Sequence, residues 1–233
     1  MSIRANTQKL LTDCSRSKLV AVTKNRSIAE IKEAIAAGIT VIGENKIQEA
    51  ELKYNELKEI LDAKKIEFHF IGHLQTNKAK KAVEMFDVIQ SVDSFILAKE
   101  IDKRAAQANK IQKILLQINI GKEEQKSGVL PEETLNSVKD ILQLTNISMI
   151  GLMCILPYSK KTEDSRSYFK KMKSLFDNCK SSIEWVFQGV HPMIPKKHQF
   201  DVLSMGMTND YKVAIEEGST MIRIGRGIFG ERE

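Results

Sequence analysis

Residues 18–43, KLVAVTKNRSIAEIKEAIAAGITVIG, carry the pattern that decides the fold. Residues 18–23 form a short run rich in β-branched side chains, which is typical of a buried strand. Apolar residues then recur at helical spacing over 28–37, and a second short apolar run fills 39–43. A strand, a helix and a second strand in this order predict a parallel β-α-β unit with a right-handed crossover.

The same alternation continues through the rest of the 233 residues. The eight predicted strands are 18–23, 39–43, 67–72, 88–92, 112–119, 148–154, 201–204 and 220–224. The predicted helices are 3–15, 28–37, 46–61, 77–85, 94–108, 132–144, 165–178 and 210–217. Eight such units close most naturally into a (β/α)8 TIM barrel, which typically takes about 250 residues. We therefore predict a single-domain α/β protein over residues 1–233, in which an additional N-terminal helix supplies part of the missing eighth outer helix.

A doubly wound sheet with a dinucleotide site is the alternative fold for alternating strands and helices. Such a site needs a glycine-rich turn after its first strand. The turn here reads Thr23-Lys24-Asn25-Arg26-Ser27 and contains no glycine, which favours the barrel.

The composition argues against several classes of protein. The sequence has no run of about 18 apolar residues, so no transmembrane helix is expected. The first residues are polar and lack the apolar segment of a secretory signal. The cysteines Cys14, Cys154 and Cys179 are far apart and form no Cys-x-x-Cys pair, so neither a disulfide framework nor a cysteine metal site is expected. The default location is a reducing cytoplasm.

The net charge of +6 arises from 36 Lys and Arg against 30 Asp and Glu, and it is dispersed along the chain. A nucleic-acid groove interleaves aromatic with basic residues, and only 6% of the residues are aromatic. Most of the charge is therefore interpreted as solvated helix faces, and a small anionic ligand is equally compatible with it.

Residues 181–200 do not follow the alternation and predict an irregular excursion before strand seven, either a lid or a surface loop. A metal site at His191 and His198 is disfavoured, because Pro192 and Pro195 break the helical geometry that would place both on one face. No metal site is predicted.

Barrel active sites lie at the carboxyl ends of the strands, so polar residues at those ends are the candidates. Because strand side chains alternate faces, Lys24 lies on the same face as Val22, and Arg223 points into the barrel. Asn45 follows the second strand and Ser204 ends the seventh. Closing the barrel places strands two and eight beside strand one, which predicts that these polar residues form one contiguous quadrant.

A phosphate site is predicted beside this quadrant. Gly225-Arg226-Gly227 lies between strand eight and a final helical turn, where glycine permits close approach and free N–H groups are available. Barrel phosphate sites recur at the loops after strands seven and eight. Lys24 there has two possible roles, neutralising a phosphate or acting as a nucleophile whose pKa burial and Arg223 lower. An amine nucleophile beside a phosphate site suggests a Schiff base with pyridoxal 5′-phosphate (PLP).

At these positions the sequence resembles the pyridoxal phosphate homeostasis protein family (YggS/PROSC-like), which is related to the N-terminal barrel of alanine racemases. The matching motifs follow one another along nearly the whole chain. They are AVTK at 21–24, GEN at 43–45, QE at 48–49, FHFIGHLQTNK at 68–78, QINI at 117–120, KSG at 126–128, GLM at 151–153, LSMGMTND at 203–210, AIEEGST at 214–220, RIG at 223–225 and IFG at 228–230.

The resemblance implies a role for each predicted site residue. Lys24 matches the lysine that forms the internal aldimine with PLP, Arg223 the arginine that faces the pyridine nitrogen, and Asn45 the asparagine that lines the ring pocket. The positions around the phosphate are Ser204, Met205, Gly225 and Arg226, the last two through their backbone N–H groups.

Two other motif residues have no settled role, because core packing or loop capping explains His69 and Asn77 as well as binding does. The sequence also departs from the family at residues 25–27, where Asn-Arg-Ser replaces the usual Thr-Lys-Pro or similar. This departure alters the loop and spares Lys24.

The resemblance and the chemistry of the ring together predict a protein without catalytic turnover. An arginine cannot accept a proton from the pyridine nitrogen, and it disfavours the protonated ring that carbanion chemistry needs. Related racemases add a tyrosine from a second domain, for which we expect no room after strand eight, although Tyr158 could approach the mouth. We therefore expect a PLP carrier that buffers or delivers the cofactor in vitamin B6 and amino-acid homeostasis, with no catalytic residues.

The alternatives are a minimal PLP-dependent amino-acid racemase and a phosphosugar-type barrel that uses Lys24 without PLP. The expected partners are PLP and, as further candidates, amino acids and PLP-requiring apo-enzymes, with no nucleic acid and no membrane. Monomer and weak dimer both stay open.

Overall fold

The computed structural model describes residues 2–157, 159, 161–187 and 199–231. Eight strands pair in parallel and close into a barrel in chain order, so the predicted TIM barrel is confirmed. The strands are β1 (Lys18–Val22), β2 (Val41–Glu44), β3 (Glu67–Phe70), β4 (Val88–Val92), β5 (Gln112–Ile118), β6 (Ile147–Cys154), β7 (Val202–Ser204) and β8 (Met221–Ile224). Closure places β1 between β2 and β8, with Ala21 opposite Ile42 and Lys18 opposite Met221.

The helices form the outer layer of the barrel. They are α1 (Ile3–Asp13), α2 (Ile28–Ala36), α3 (Ile47–Lys64), α4 (Ala79–Met85), α5 (Phe95–Gln107), α6 (Thr134–Leu142), α7 (Arg166–Phe187), α8 (Tyr211–Glu216) and α9 (Arg226–Phe229). α1 contacts α2 and α9, and the Asn6 amide donates to the Ile228 carbonyl at 3.1 Å. The short final helix is therefore supplemented by α1, as predicted.

The two faces of the strands follow the predicted alternation. Val20, Val41 and Met221 form a small apolar cluster inside the barrel. Ile222 and Ile224 belong instead to the large core between the strands and the outer helices. β8 therefore directs its odd-numbered positions inward, which places the side chain of Arg223 inside the barrel mouth.

Two strands have a boundary that differs from the prediction by two residues. β2 begins at Val41 because the backbone N–H of Ile39 donates to the carbonyl of Ala34, which ties Ile39 to the end of α2. β3 ends at Phe70, and Gly72 then passes so close to β2 that a Cβ atom there would lie 2.1 Å from the Asn45 carbonyl oxygen.

The predicted excursion at residues 181–200 begins later than expected. α7 continues through Phe187 instead of ending at residue 178, because Phe176, Cys179 and Ile183 extend its buried stripe at helical spacing. Residues 188–198 lie outside the described part of the chain, and with them the possible metal ligands His191 and His198. The described residues contain no cluster of three or more His, Cys, Asp or Glu side chains that could hold a metal ion.

The helices of the described residues include none that is both long and apolar enough to cross a membrane. The cysteines Cys14, Cys154 and Cys179 are buried free thiols.

Candidate functional site

A cavity of about 850 Å³ opens at the carboxyl ends of the strands. Its lining comes from the ends of β1 and β8 and from the loops after β5, β6 and β7. The residues at its surface include Val22, Lys24, Lys126, Leu156, Pro157, Ser159, Met207, Thr208, Asn209, Asp210, Arg223, Gly225 and Arg226. Four of the seven predicted site residues thus meet at one cavity: Lys24, Arg223, Gly225 and Arg226.

Lys24 lies in the turn that follows β1. A cluster of charged side chains holds this turn in place. The ammonium group of Lys53, on α3, donates to the Thr23 carbonyl at 2.6 Å and to the carboxylates of Glu44 and Glu49 at 2.7 Å each. Glu49 also accepts from the backbone N–H of Asn25. Both peptide neighbours of Lys24 are therefore anchored to α3.

Glu44 is fully buried beside Lys53, and burial raises the pKa of its carboxyl group. The Thr23 hydroxyl donates to the same carboxylate at 2.6 Å. The sequence interpretation missed this cluster, although Glu49 and Lys53 are spaced i, i+4 on a helix, as salt-bridged pairs are.

Arg223 is 3% exposed and its guanidinium group is held at two points. Nη1 donates to the Ser204 hydroxyl at 2.6 Å, and Nη2 donates to the Cys154 carbonyl at 2.7 Å. Burial lowers the pKa of Arg223, and the carboxylate of Asp210 opposes that shift. An arginine stays protonated in such a setting, so a fixed positive charge faces the cavity.

Ser204 was predicted to bind phosphate, and the structure places it one layer deeper. Its hydroxyl is fully buried, accepts from Arg223 and donates to the side-chain carbonyl of Gln90 at 2.7 Å. Ser204 therefore contacts the cavity through Arg223.

The turn between β8 and α9 supplies backbone groups to the cavity. A Cβ atom at Gly225 would come no closer than 3.4 Å to protein atoms outside the turn, so packing does not require a glycine here. Without a side chain, the Gly225 backbone is open to close approach from the cavity. Gly227 differs, because a Cβ atom there would lie 2.8 Å from Ile224.

Arg26 fastens the end of α9, the helix that follows this turn, to the loop that carries Lys24. Its Nη2 donates to the Gly230 carbonyl at 2.6 Å, and its guanidinium carbon lies 5.5 Å from the centre of the Phe229 ring. Nη1 pairs with Glu30 at 3.2 Å. Arg26, in the segment where the sequence departs from the family motif, thus connects the loop after β1 with the end of α9.

The loop after β7 adds Asp210 to the cavity lining. Asp210 immediately precedes α8, and its carboxylate accepts from the backbone N–H of Met207 at 2.7 Å and makes no capping bond to α8. Burial raises the pKa of Asp210, and Arg223 opposes that shift. Gly206, with φ +94°, turns the chain at the start of this loop. The bond from the Met207 N–H to the Asp210 carboxylate then fixes the loop.

Besides Ser204, two predicted site residues lie outside the cavity lining. Met205 is fully buried in the core beneath the helices. Asn45 is half-buried, and its side-chain carbonyl has no hydrogen-bond partner among the described residues. Their binding roles stay predictions.

The two motif residues without a settled role are now placed. His69 is fully buried inside the barrel, where it bonds to Gln90 and Glu67. Asn77 is exposed in a 3₁₀ turn, Thr76–Lys78. Tyr158 lies outside the described residues.

Comparisons with known proteins agree with this geometry. The family model "Alanine racemase, N-terminal domain" matches residues 1–233. The pyridoxal phosphate homeostasis protein of Aquifex aeolicus is 40% identical over 217 residues, which cover 93% of this chain and 88% of the relative. The chain belongs to the pyridoxal phosphate homeostasis protein family. The resemblance read from its motifs is thus confirmed.

Solved structures show how far the likeness of this family member extends. PipY of Synechococcus elongatus, in a structure with PLP bound, is 33% identical with a TM-score of 0.85, covering 98% of this chain and 100% of that one. An alanine racemase from Streptomyces coelicolor has a TM-score of 0.72 at 17% identity, over 99% of this chain and 58% of the racemase. The second comparison supports the shared barrel fold alone.

Proposed function

We propose that this protein binds PLP covalently as a Schiff base at Lys24 and acts in its homeostasis by buffering or delivering it. The observation that carries the proposal is the meeting of Lys24, Arg223 and the Gly225 turn at one cavity. An amine suits the aldehyde of PLP, and the free backbone N–H groups of an open turn suit its phosphate. The name of the Aquifex relative and the PLP bound to PipY support the same ligand.

The residues present fit the group. Lys24 would supply the amine, the backbone of Gly225 and Arg226 would hold the phosphate, and Arg223 would face the pyridine nitrogen. When bound, PLP supplies an electron-withdrawing ring. The Arg223 guanidinium at that position would donate to the ring nitrogen and so favour its unprotonated form, because arginine only donates. This side chain therefore supports storage of the cofactor over carbanion chemistry.

Borohydride reduction of the PLP-saturated protein, followed by peptide mapping, tests the covalent link. We expect a phosphopyridoxyl adduct on Lys24 and loss of that adduct in Lys24→Arg. Lys126→Met is the matched control, since Lys126 is a second lysine that lines the cavity, where it donates to the Leu156 carbonyl at 2.9 Å. Adducts distributed over several lysines, or confined to Lys126, would refute the assignment.

A minimal amino-acid racemase is the second candidate, favoured by the shared barrel of alanine racemases. Proton transfer on both faces of a substrate needs a second acid–base group, and Asp210 is a carboxylate at this cavity. We expect no inversion when the PLP-loaded protein is incubated with single-enantiomer amino acids and the products are separated by chiral chromatography. Inversion that Asp210→Asn abolishes would establish the racemase instead.

The same site leads to a further part of the proposal. Amino acids carry an amine that can displace a lysine from PLP, so they would change the absorption spectrum of the loaded protein.

We also propose a cytoplasmic location. The buried free thiols fit such a location, because a reducing compartment preserves them.

A further inference from the structure

Three polar side chains occupy the interior of the barrel, which TIM barrels usually fill with branched apolar residues. His69, Gln90 and Ser204 are each fully buried. Around them lie apolar clusters that include Val88 and Met221. Burying polar groups at such a position is costly unless every one of them is hydrogen-bonded.

Their hydrogen bonds form one continuous chain. Ser204 donates to Gln90 Oε1 at 2.7 Å, and Gln90 Nε2 lies 2.8 Å from His69 Nδ1. His69 Nε2 lies 2.9 Å from a carboxylate oxygen of Glu67. Arg223 joins the upper end through its 2.6 Å bond to Ser204. The chain thus connects the cavity with the opposite end of the barrel.

Only one direction of donation satisfies every member. Arg223 can only donate, so Ser204 accepts from it and gives its single proton to Gln90. The Gln90 amide must then donate to Nδ1, which makes His69 a neutral ring with its proton on Nε2. That proton is donated to Glu67, an ionised acceptor.

Both ends of the chain are fixed by charge. The pKa of Glu67 is lowered to about 2, first by its hydrogen bond with His69 and also by its bond with Lys18. Lys18 lies 3.0 Å from the Glu67 carboxylate. A donor-only group at the mouth and an acceptor-only group at the base exclude the reverse arrangement.

We propose that Gln90 and His69 are positioning residues of the cofactor site, which fix the Arg223 guanidinium from behind through Ser204. The inference rests on the proposed function, since Arg223 would be the group that faces bound PLP. Without this series of hydrogen bonds, the Ser204 hydroxyl loses Gln90 as the acceptor of its proton and is free to turn away from Arg223. The guanidinium then keeps only its bond to the Cys154 carbonyl and is free to turn about that bond, which changes its orientation toward the cofactor ring.

The variant Gln90→Leu tests the proposal through the absorption spectrum and dissociation constant of bound PLP. We expect the absorption maximum to shift, and the dissociation constant to rise about tenfold, as for one lost hydrogen bond to a charged group. The borohydride adduct on Lys24 is retained. A folded Gln90→Leu protein, checked by circular dichroism, with unchanged spectrum and affinity would overturn the proposal.

Two further variants separate positioning from general destabilisation. Gln112→Leu also removes a fully buried glutamine, whose amide donates to the carbonyls of Phe86 and Asp87 and not to the chain. We expect it to lower the melting temperature and leave the spectrum unchanged; a shift equal to that of Gln90→Leu would contradict us.

Glu67→Gln alters the base of the chain at a side chain that is 36% exposed, so folding is expected to survive even if Gln90→Leu fails. A smaller spectral shift in the same direction is expected, and an unchanged spectrum counts against the chain. Absence of any adduct on Lys24 in the unaltered protein would instead refute the proposed function.

Discussion

At the scale of single residues, the barrel contains ionisable groups that are buried for different reasons. Lys53 and Glu44 neutralise each other at 2.7 Å and hold the turn of Lys24. His69 has a different role, because its neutral ring passes a hydrogen bond from Gln90 to Glu67. Burial raises the pKa of Glu44 and lowers the pKa of His69, so the stability of the protein depends on pH through both groups.

We predict that His69 makes the protein less stable below neutral pH. Burial lowers the pKa of His69 in the folded chain, whereas the ring takes up a proton near pH 6.5 when unfolded. The unfolded state thus binds more protons below that pH. The free energy of unfolding should fall as the pH drops from about 6.5, by at most about 1.4 kcal/mol per unit.

Urea unfolding at pH 7 and pH 5 measures this dependence. In His69→Gln, which keeps a donor and an acceptor but cannot titrate, the loss of stability between the two pH values should shrink. His73→Gln is the matched control, since the His73 side chain is 61% exposed. An equal reduction in both variants would show that the buried ring is not responsible.

At the scale of elements, the site depends on the contact between the loop after β1 and the last helix. Arg26 makes that contact through the Gly230 carbonyl and the Phe229 ring. α9 spans only four residues, Arg226–Phe229, so its own hydrogen bonds stabilise it little. Its position therefore comes from its neighbours, Arg26 among them.

We predict that Arg26→Met loosens the turn after β8. The variant keeps an apolar stem but loses the hydrogen bond to Gly230 and the contact with the ring face. We expect a loss of about 1–2 kcal/mol of stability in urea unfolding, and a several-fold weaker affinity for PLP.

The control for this variant is Arg104→Met, which removes an i, i+4 pair with Glu100 on α5. It should change stability by at most about 0.5 kcal/mol and leave the affinity unchanged. If Arg26→Met bound PLP as tightly as the unaltered protein, the turn would not need this clamp.

At the scale of the whole molecule, the local sequence patterns predicted those features of the fold that depend on residues close together in the sequence. The alternation of strand faces correctly directed Arg223 inward, and the order of strands and helices predicted the barrel. The continuation of α7 was missed, although Cys179 and Ile183 keep its buried spacing. The error came from treating Trp185 and the prolines beyond it as one irregular segment.

Contacts between distant residues could not be predicted in this way. Ser204 and Gln90 are 114 residues apart, and nothing in the run VIQSV of β4 tells which side chain will accept the Ser204 proton. The Lys53 cluster likewise joins β2 and α3 across the end of β1. Such hydrogen-bond partners can be identified only when the barrel is closed and the position of each side chain along the barrel axis is known.

The pairing of the first strand with the last has a consequence for synthesis. Lys24 leaves the ribosome almost two hundred residues before Arg223 and the Gly225 turn, which lie on the strand that completes the ring. A ligand that contacts both strands lacks its contacts with the last strand on a nascent chain. The full binding free energy is gained only after closure, so the cofactor would mainly stabilise the finished barrel and contribute little to earlier folding steps.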